Sequence, residues 1–320
     1  MNKEIRNTLI FLVFSIIIFA ILSQLISSEV INAYYARLIV TICINIILAV
    51  SLNLILGFTG QLTLGHAGFM SIGAYASAMF TIKMNVPFPV ALIIGGFFAA
   101  FIGFLIGLPT LRLKGDYLAI TTLGFGEIIR VVIVNIDELG GGRGLPGIPP
   151  KTTLTWVFFI MVFSVLIIYN IIHSSQGRAM MSVREDEIAA EAMGINTTKY
   201  KIIAFVIGSF FAGVAGGLFA HFVYFIKPEQ FDFLKSVDIV TYVVMGGMGS
   251  LSGSVISAGI LTYLPEALRA LNNYRMIIYP IALIIIMRFR PQGLMGSKEI
   301  SFKLFADLKK GSGKNDIAKG

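Results

Sequence analysis

Gly57-Phe58-Thr59-Gly60-Gln61-Leu62-Thr63 has an echo 189 residues later, in Gly246-Gly247-Met248-Gly249-Ser250-Leu251-Ser252. Both read G-x-x-G-[Q/S]-L-[T/S], and both interrupt long apolar stretches. Glycine costs roughly 1 kcal/mol relative to alanine inside a helix, so each motif marks a break. A broken helix exposes N–H and C=O groups that hydrocarbon cannot satisfy, so such backbone must face protein or a wet pathway. A pair of Gly-interrupted segments in the two halves of a chain is a sequence pointer to a transporter's binding region.

The surrounding composition supports a membrane setting. Of 320 residues, 56% are hydrophobic and 13% charged, against about 25% charged in an ordinary soluble domain. The mean hydropathy is +0.85. That leaves too few charges to clothe a water-facing surface, and too much apolar matter for disorder. A single cysteine, Cys43, excludes a disulfide scaffold. Three scattered histidines and that one cysteine make no structural zinc site, which needs four ligands.

A spanning helix uses about 20 apolar residues. Apolar runs occur at 8–26, 38–56, 66–82, 88–108, 117–134, 154–172, 202–225, 239–264 and 277–289. The first is longer than the core of a signal peptide and no small-x-small site follows it, so it reads as a retained helix. The connectors 135–151, rich in Gly and Pro, and 173–201, rich in charge, are long enough to have functions of their own.

Lys and Arg concentrate on the cytoplasmic side of membrane proteins. With the N-terminus inside, sixteen fall inside, among them Arg112, Lys114, Arg178, Arg184, Lys199, Lys201 and the C-terminal cluster. Eight fall outside, including Lys83, Arg143, Lys227 and Lys235. This bias places both termini in the cytoplasm. Seven crossings precede the run 239–264, so a cytoplasmic tail requires that run to cross twice or re-enter, breaking at its glycines. The fold class expected is an all-α polytopic transmembrane bundle of about ten helical elements with broken or re-entrant segments. One transmembrane domain covers 1–296, with a cytoplasmic segment at 177–200, and a basic tail covers 297–320. Gly103-x-x-x-Gly107 and Gly213-x-x-x-Gly217 would let helix backbones approach closely.

Chemistry-bearing motifs are scarce. Nothing matches G-x-x-x-x-G-K-[S/T], H-E-x-x-H, G-x-S-x-G or C-x-x-C, so nucleotide hydrolysis, metalloprotease, serine-hydrolase and thiol-redox readings lack their residues. No catalytic residue, metal ligand or cofactor is assigned. Glu127 and Arg130, three apart on one face of a span, are the intramembrane charges. They read either as a mutually neutralising structural pair or as the coupling group of a stand-alone ion-driven carrier. Gly60, Gln61, Thr63, His66, Gly249, Ser250 and Ser252 border the breaks and are the pathway candidates. The polar ones could meet a zwitterion, or could equally cap and start helices. His173 and His221, near span ends, read as interfacial.

The cytoplasmic segment carries Arg184, Glu185, Asp186, Glu187, Ala189, Ala190, Glu191 and Gly194. Acids in the first turn and Gly194 as a stop predict a short helix from 186 to 193. Its charges beside small alanines suit docking into a groove on another protein; the alternative is a solvated loop helix. Two turns of isolated helix are marginal in water, which favours a partner.

Residues 60–69 (GQLTLGHAGF), 111–128 (LRLKGDYLAITTLGFGEI), 184–196, 244–253 and 290–296 (RPQGLMG) together resemble the permease subunits of branched-chain amino acid ABC importers, the Liv type and its LivM-like branch. The resemblance implies a cell-membrane channel built with a second permease subunit, two cytoplasmic ATPase subunits and an extracytoplasmic solute-binding protein, with lipid around it and no nucleic acid. Residues 184–196 would be the coupling helix. The E-A-A-x-x-x-G pattern of such permeases aligns through Ala189, Ala190 and Gly194, but Ile188 stands at its Glu. Leucine, isoleucine and valine are the implied substrates; urea, short amides and sugars belong to similar permeases.

Overall fold

The computed structural model describes residues 3–269, 275–290 and 292–296, with the side chains of residues 3–11 and of a few positions in the last helix left aside. The expected tail at 297–320 lies outside the described residues.

The described residues form twelve α-helices: α1 Lys3–Ser27, α2 Ala33–Thr59, α3 His66–Met84, α4 Phe88–Thr110, α5 Asp116–Val134, α6 Leu154–His173, α7 Ser175–Glu185, α8 Glu187–Ala192, α9 Thr197–Val223, α10 Phe233–Gly246, α11 Leu251–Ala267 and α12 Arg275–Phe289. Among them there is no strand, only an isolated pairing of Leu145 with Ile226. Five helices (α2, α4, α5, α6 and α9) are each long and apolar enough to cross a membrane. The all-α polytopic bundle is therefore what the chain adopts.

Two helices more than the expected ten arise in the charged connector 173–201, which folds as α7 and α8 rather than as one short helix. The apolar run 239–264 does divide at its glycines, into α10 and α11. However, α10 begins at Phe233, before the apolar run, because Asp232 caps it by accepting the Lys235 N–H.

α2 is the central helix. Asn32 caps its start by accepting the Tyr35 N–H, and nearly every residue from Cys43 to Thr59 is buried. A helix apolar on all sides is one surrounded by others, and α6, α7, α9, α10 and α11 pack around this one.

The tightest packing joins α3, α4 and α9. A Cβ on Gly73 of α3 would lie 2.1 Å from the Gly213 carbonyl oxygen of α9, and one on Gly216 would lie 1.9 Å from that of Met70. Only bare backbone fits there. Gly103 meets Ser209 in the same way, so both small-residue motifs lie in the contact between α4 and α9 or α3 and α9. Without a hydrophobic drive between helices in lipid, close van der Waals approach of this kind holds a bundle together. The outward faces carry exposed Phe97, Phe101 and Phe104 on α4 and Ile120, Ile128 and Val132 on α5, as lipid contact or a further helical partner requires.

The Gly/Pro-rich connector 135–153 is anchored rather than loose. Leu145 and Ile226 exchange backbone hydrogen bonds of 2.8 and 3.3 Å. Thr152 Oγ1 donates to the Leu218 carbonyl. Lys83 pairs with Glu138 at 2.9 Å, an exposed ion pair that contributes little by itself.

Candidate functional site

α2 ends in a left-handed residue, Gly60, and residues 60–65 lead to α3 without regular structure. This link is fixed from three sides. The Leu64 N–H donates to Thr122 Oγ1 of α5 at 3.1 Å. The Ala67 N–H, one of the donors left free at a helix start, goes to Ser236 Oγ of α10 at 3.1 Å. His66 is fully buried, with Nε2 3.0 Å from Ser51 Oγ of α2. His66 is the first residue of α3. Thr63 is buried, and its Oγ1 accepts the Gly65 N–H at 3.4 Å. Gln61 is also buried, and neither atom of its amide has a hydrogen-bond partner among the described residues. A buried amide without partners is costly.

The second break is closed by the chain's own later residues. α10 ends at Gly246, and its orphaned carbonyls of Met245 and Gly246 accept the Leu294 and Met295 N–H groups at 2.7 and 3.2 Å. Leu294 and Met295 of the R-P-Q-G-L-M-G motif thus cap the broken helix. Gly249, at φ 88°, lies in backbone space that favours glycine. Ser250 then starts α11, its Oγ accepting the Gly253 N–H at 3.1 Å and lying 3.3 Å from Ser252 Oγ.

The two echoing motifs meet. Asn53 of α2, fully buried, donates from Nδ2 to the Ser250 carbonyl at 2.9 Å and accepts the Gly249 N–H at Oδ1 at 3.0 Å. A Cβ on Gly57 would lie 2.4 Å from the Gly249 nitrogen, so the last turns of α2 rest directly on the second break. One side chain thereby satisfies both polar groups of an interrupted backbone in an apolar setting.

Deeper in the bundle the starts of α3 and α10 face each other across the Ala67–Ser236 bond. Lys235 of α10 donates to Asn45 Oδ1 at 3.1 Å, and Asn45 Nδ2 donates to Thr262 Oγ1 of α11 at 2.9 Å. Asn45 lies near the midpoint of α2. The charge count had assigned Lys235 to an outside connector; it belongs instead to a helix joined to the middle of the central span. Removing it from the outer side strengthens the inside bias. Asn45, Asn53 and Lys235 were not singled out from the sequence. Two amides eight residues apart in an otherwise apolar run were the available signal, because polar groups in a span need partners.

Glu127 and Arg130 form their ion pair at 2.8 Å on α5, with side chains 35% and 32% exposed. Glu127 borders a shallow cleft shared with Leu64, Gly68, Asp232 and Ser236, so the pair flanks the meeting of α3 and α10. A separate cavity of about 310 Å³ lies between α1, α2 and α6, lined by Phe19, Arg37 and Leu154 among others, away from both breaks. The two histidines read as interfacial divide. His173 is exposed, whereas His221 is fully buried, its ring nitrogens 2.9 Å from the Gly217 carbonyl and 3.0 Å from Thr81 Oγ1.

Helices α7 and α8, the expected cytoplasmic lever, are built into the fold. α7 packs on α2, α6 and α9. Asp186 caps α8 by accepting the Ile188 and Ala189 N–H groups at 2.9 and 3.0 Å. Glu187 holds Lys201 at 2.5 Å and Lys114 at 3.2 Å, joining the lever to α9 and to the α4–α5 turn. Partial burial pushes the Glu187 carboxyl up, but the two ammonium groups outweigh it and keep it more acidic than an ordinary glutamate. Glu191 accepts the Thr197 hydroxyl at 2.7 Å, and Ala190 is buried against the chain itself. Gly194, at φ 82°, ends the segment. Of the residues expected to project, Glu185, Ala189 and Gly194 are exposed with no side-chain hydrogen bond or ion pair. The groups that stand furthest out are apolar: Ile188 at 76% and Met193 at 82% exposure. Arg184 turns inward and donates from Nη1 to the Gly57 carbonyl at 2.5 Å.

This arrangement defines a multi-pass helical membrane protein whose two helix breaks share one junction, reached by the folded segment α7–α8. A family model described as the permease component of branched-chain amino acid transport systems matches residues 34–287. The chain belongs to that family of membrane permeases. It is 36% identical over 275 residues to the high-affinity branched-chain amino acid transport system permease protein LivM of Salmonella typhimurium, covering 75% of this chain and 65% of that protein. LivM of Escherichia coli is 35% identical over 284 residues, covering 78% and 65%. LivH of Escherichia coli is 32% identical over 154 residues, covering 47% and 49%. The chain thus spans a little under two thirds of the length of the LivM proteins it matches. No solved structure matches it.

Proposed function

We propose that this chain is the transmembrane permease subunit of an ABC importer for leucine, isoleucine and valine. The observation that carries the reading is the junction of Gly57, Asn53 and Gly249 with a cytoplasmic lever attached to it. A stand-alone carrier has no need of such a lever. The relatives named for branched-chain amino acid transport support the substrate, and the likeness to both LivM and LivH supports a second, paralogous permease subunit. Separate ATPases would supply the energy, since the chain has no nucleotide-binding loop.

In this reading the apolar tip formed by Ile188 and Met193 enters a groove on the ATPase. Gly60, Gln61, Thr63, His66, Gly249, Ser250 and Ser252 surround the moving part of the pathway. The zwitterion is handed over by a solute-binding protein and passes without a strong charged site, which agrees with how few charges the spans hold. Gln61, whose amide is unsatisfied in this conformation, gains a partner when the pathway opens. Glu127–Arg130 remains a structural pair; its separation would be needed only by an ion-coupled carrier.

The test is uptake of radiolabelled leucine into proteoliposomes. Accumulation is expected with the second permease, the ATPases and the binding protein, and not when the ATPases are omitted. ATP-independent accumulation by this chain alone would overturn the reading in favour of the carrier.

A further inference from the structure

The sequence suggested that Arg184 belongs to the surface offered to an ATPase. Its guanidinium also reaches back into the chain's own fold. It stands in the last turn of α7, immediately before the Asp186 cap of α8, and its guanidinium crosses to the end of α2. There Nη1 donates to the Gly57 carbonyl, one of the acceptors a helix leaves unsatisfied in its final turn. A cation at that end also meets the negative pole of the helix dipole. The same guanidinium touches the second break: a Cβ built on Gly249 would lie 2.5 Å from Nη1. A Cβ on Gly60 would lie 3.4 Å from Arg184 Cγ, so the stem of the side chain runs along the first break. One arginine thus contacts the lever's own helix, the end of α2 and both glycine interruptions. Gly57 and Gly249 are in turn held together through Asn53.

Resting on the proposed function, we propose that Arg184 is the positioning residue that passes movement of the lever to both breaks at once. Glu187 fixes the lever's other end to α9 and to the α4–α5 turn. Rotation of α8 about that anchor must then pull or release the α2 terminus through Arg184. Lysine replaces it only in part, because a single ammonium can reach the Gly57 carbonyl but cannot spread a planar fork over the Gly249 backbone.

The experiment uses the complete transporter in proteoliposomes and compares R184Q, R184K and, at an exposed residue on neither the lever nor a break, E229Q with the unaltered chain. Three quantities are read: ATPase co-purification, ATP hydrolysis stimulated by leucine-loaded binding protein, and leucine uptake. R184Q is expected to retain the ATPases and to hydrolyse ATP while uptake falls about tenfold, so that ATP consumed per leucine rises by the same factor. R184K is expected to lie between R184Q and the unaltered chain, and E229Q to match the latter. Uptake by R184Q within twofold of the unaltered chain would overturn the proposal. So would loss of ATPase co-purification, which would make Arg184 a docking residue after all. Should R184Q fail to fold, R184K decides: a raised ATP-to-leucine ratio supports the link and an unchanged ratio overturns it. Absence of uptake by the unaltered complex would instead count against the proposed function, leaving the two failures distinguishable.

Discussion

Substituting Asn53 by alanine should separate the two interrupted spans. The side chain makes two hydrogen bonds, at 2.9 and 3.0 Å, to the carbonyl of Ser250 and the N–H of Gly249. Each such bond contributes about 0.6–1 kcal/mol net in a membrane helix bundle. Removing it also leaves a buried backbone donor or acceptor without a partner, at about 1–3 kcal/mol for each group that water does not reach. The junction adjoins the molecular surface through exposed Arg184, so water relieves part of that cost. The expected loss is about 2–4 kcal/mol. Asn53→Asp should lose at least as much, because a buried carboxylate oxygen would face the Ser250 carbonyl where the amide donated. Reversible unfolding in mixed detergent micelles measures the change, and leucine uptake by the reconstituted complex measures its consequence. A loss below about 1 kcal/mol with normal uptake would refute the claim that Asn53 holds the breaks together.

Further outcomes follow from other contacts. Gly73→Ala puts a methyl 2.1 Å from the Gly213 carbonyl oxygen; backbone cannot yield as a side chain can, so a loss of about 3 kcal/mol or more is expected in the same assay. Ile188→Asp with Met193→Asp should reduce ATPase co-purification about tenfold while membrane insertion is unchanged, since exposed apolar anchors dominate such contacts; unaltered co-purification would remove the docking role from α8. Glu187 is held below the ordinary glutamate range by Lys201 and Lys114 against the opposing effect of burial. Its contribution to lever stability is therefore complete at neutral pH and above, and is lost as pH falls through the ordinary glutamate range and then through the depressed folded value. Hydrogen exchange over residues 186–196 should accelerate on acidification in the unaltered chain, and E187Q should show fast exchange already at neutral pH.

Much of this was legible in one dimension because membrane composition and glycine breaks are local signals. The apolar runs gave the spans, the glycines at 246–249 marked the division into α10 and α11, and the acids before Gly194 marked α8. The start of α10 was not legible. A lysine at the edge of an apolar run looks like a charge at a membrane face, and only the fold brings Asn45 to Lys235. α7 escaped notice because its polar sequence, with Gly177 inside it, is a weak helix former stabilised by packing against α2, α6 and α9. The direction of Arg184 was also hidden. A charged residue beside a cytoplasmic helix reads as solvent-facing until the free carbonyls of a distant helix end are found within its reach. The same holds in reverse for Ala190, which composition offered to a partner and the fold buries.

Whether lever and breaks move as one body is open to direct measurement. Spin labels at Glu185 and Met248, both exposed, report the distance between α7 and the second break by pulsed electron resonance in the complete transporter, with buried Cys43 replaced by serine. A single distance, unchanged between nucleotide-free and ATP-trapped states while each label shifts relative to a third at Glu138, is expected. A Glu185–Met248 distance that changes with nucleotide while Arg184 is intact would contradict a rigid link.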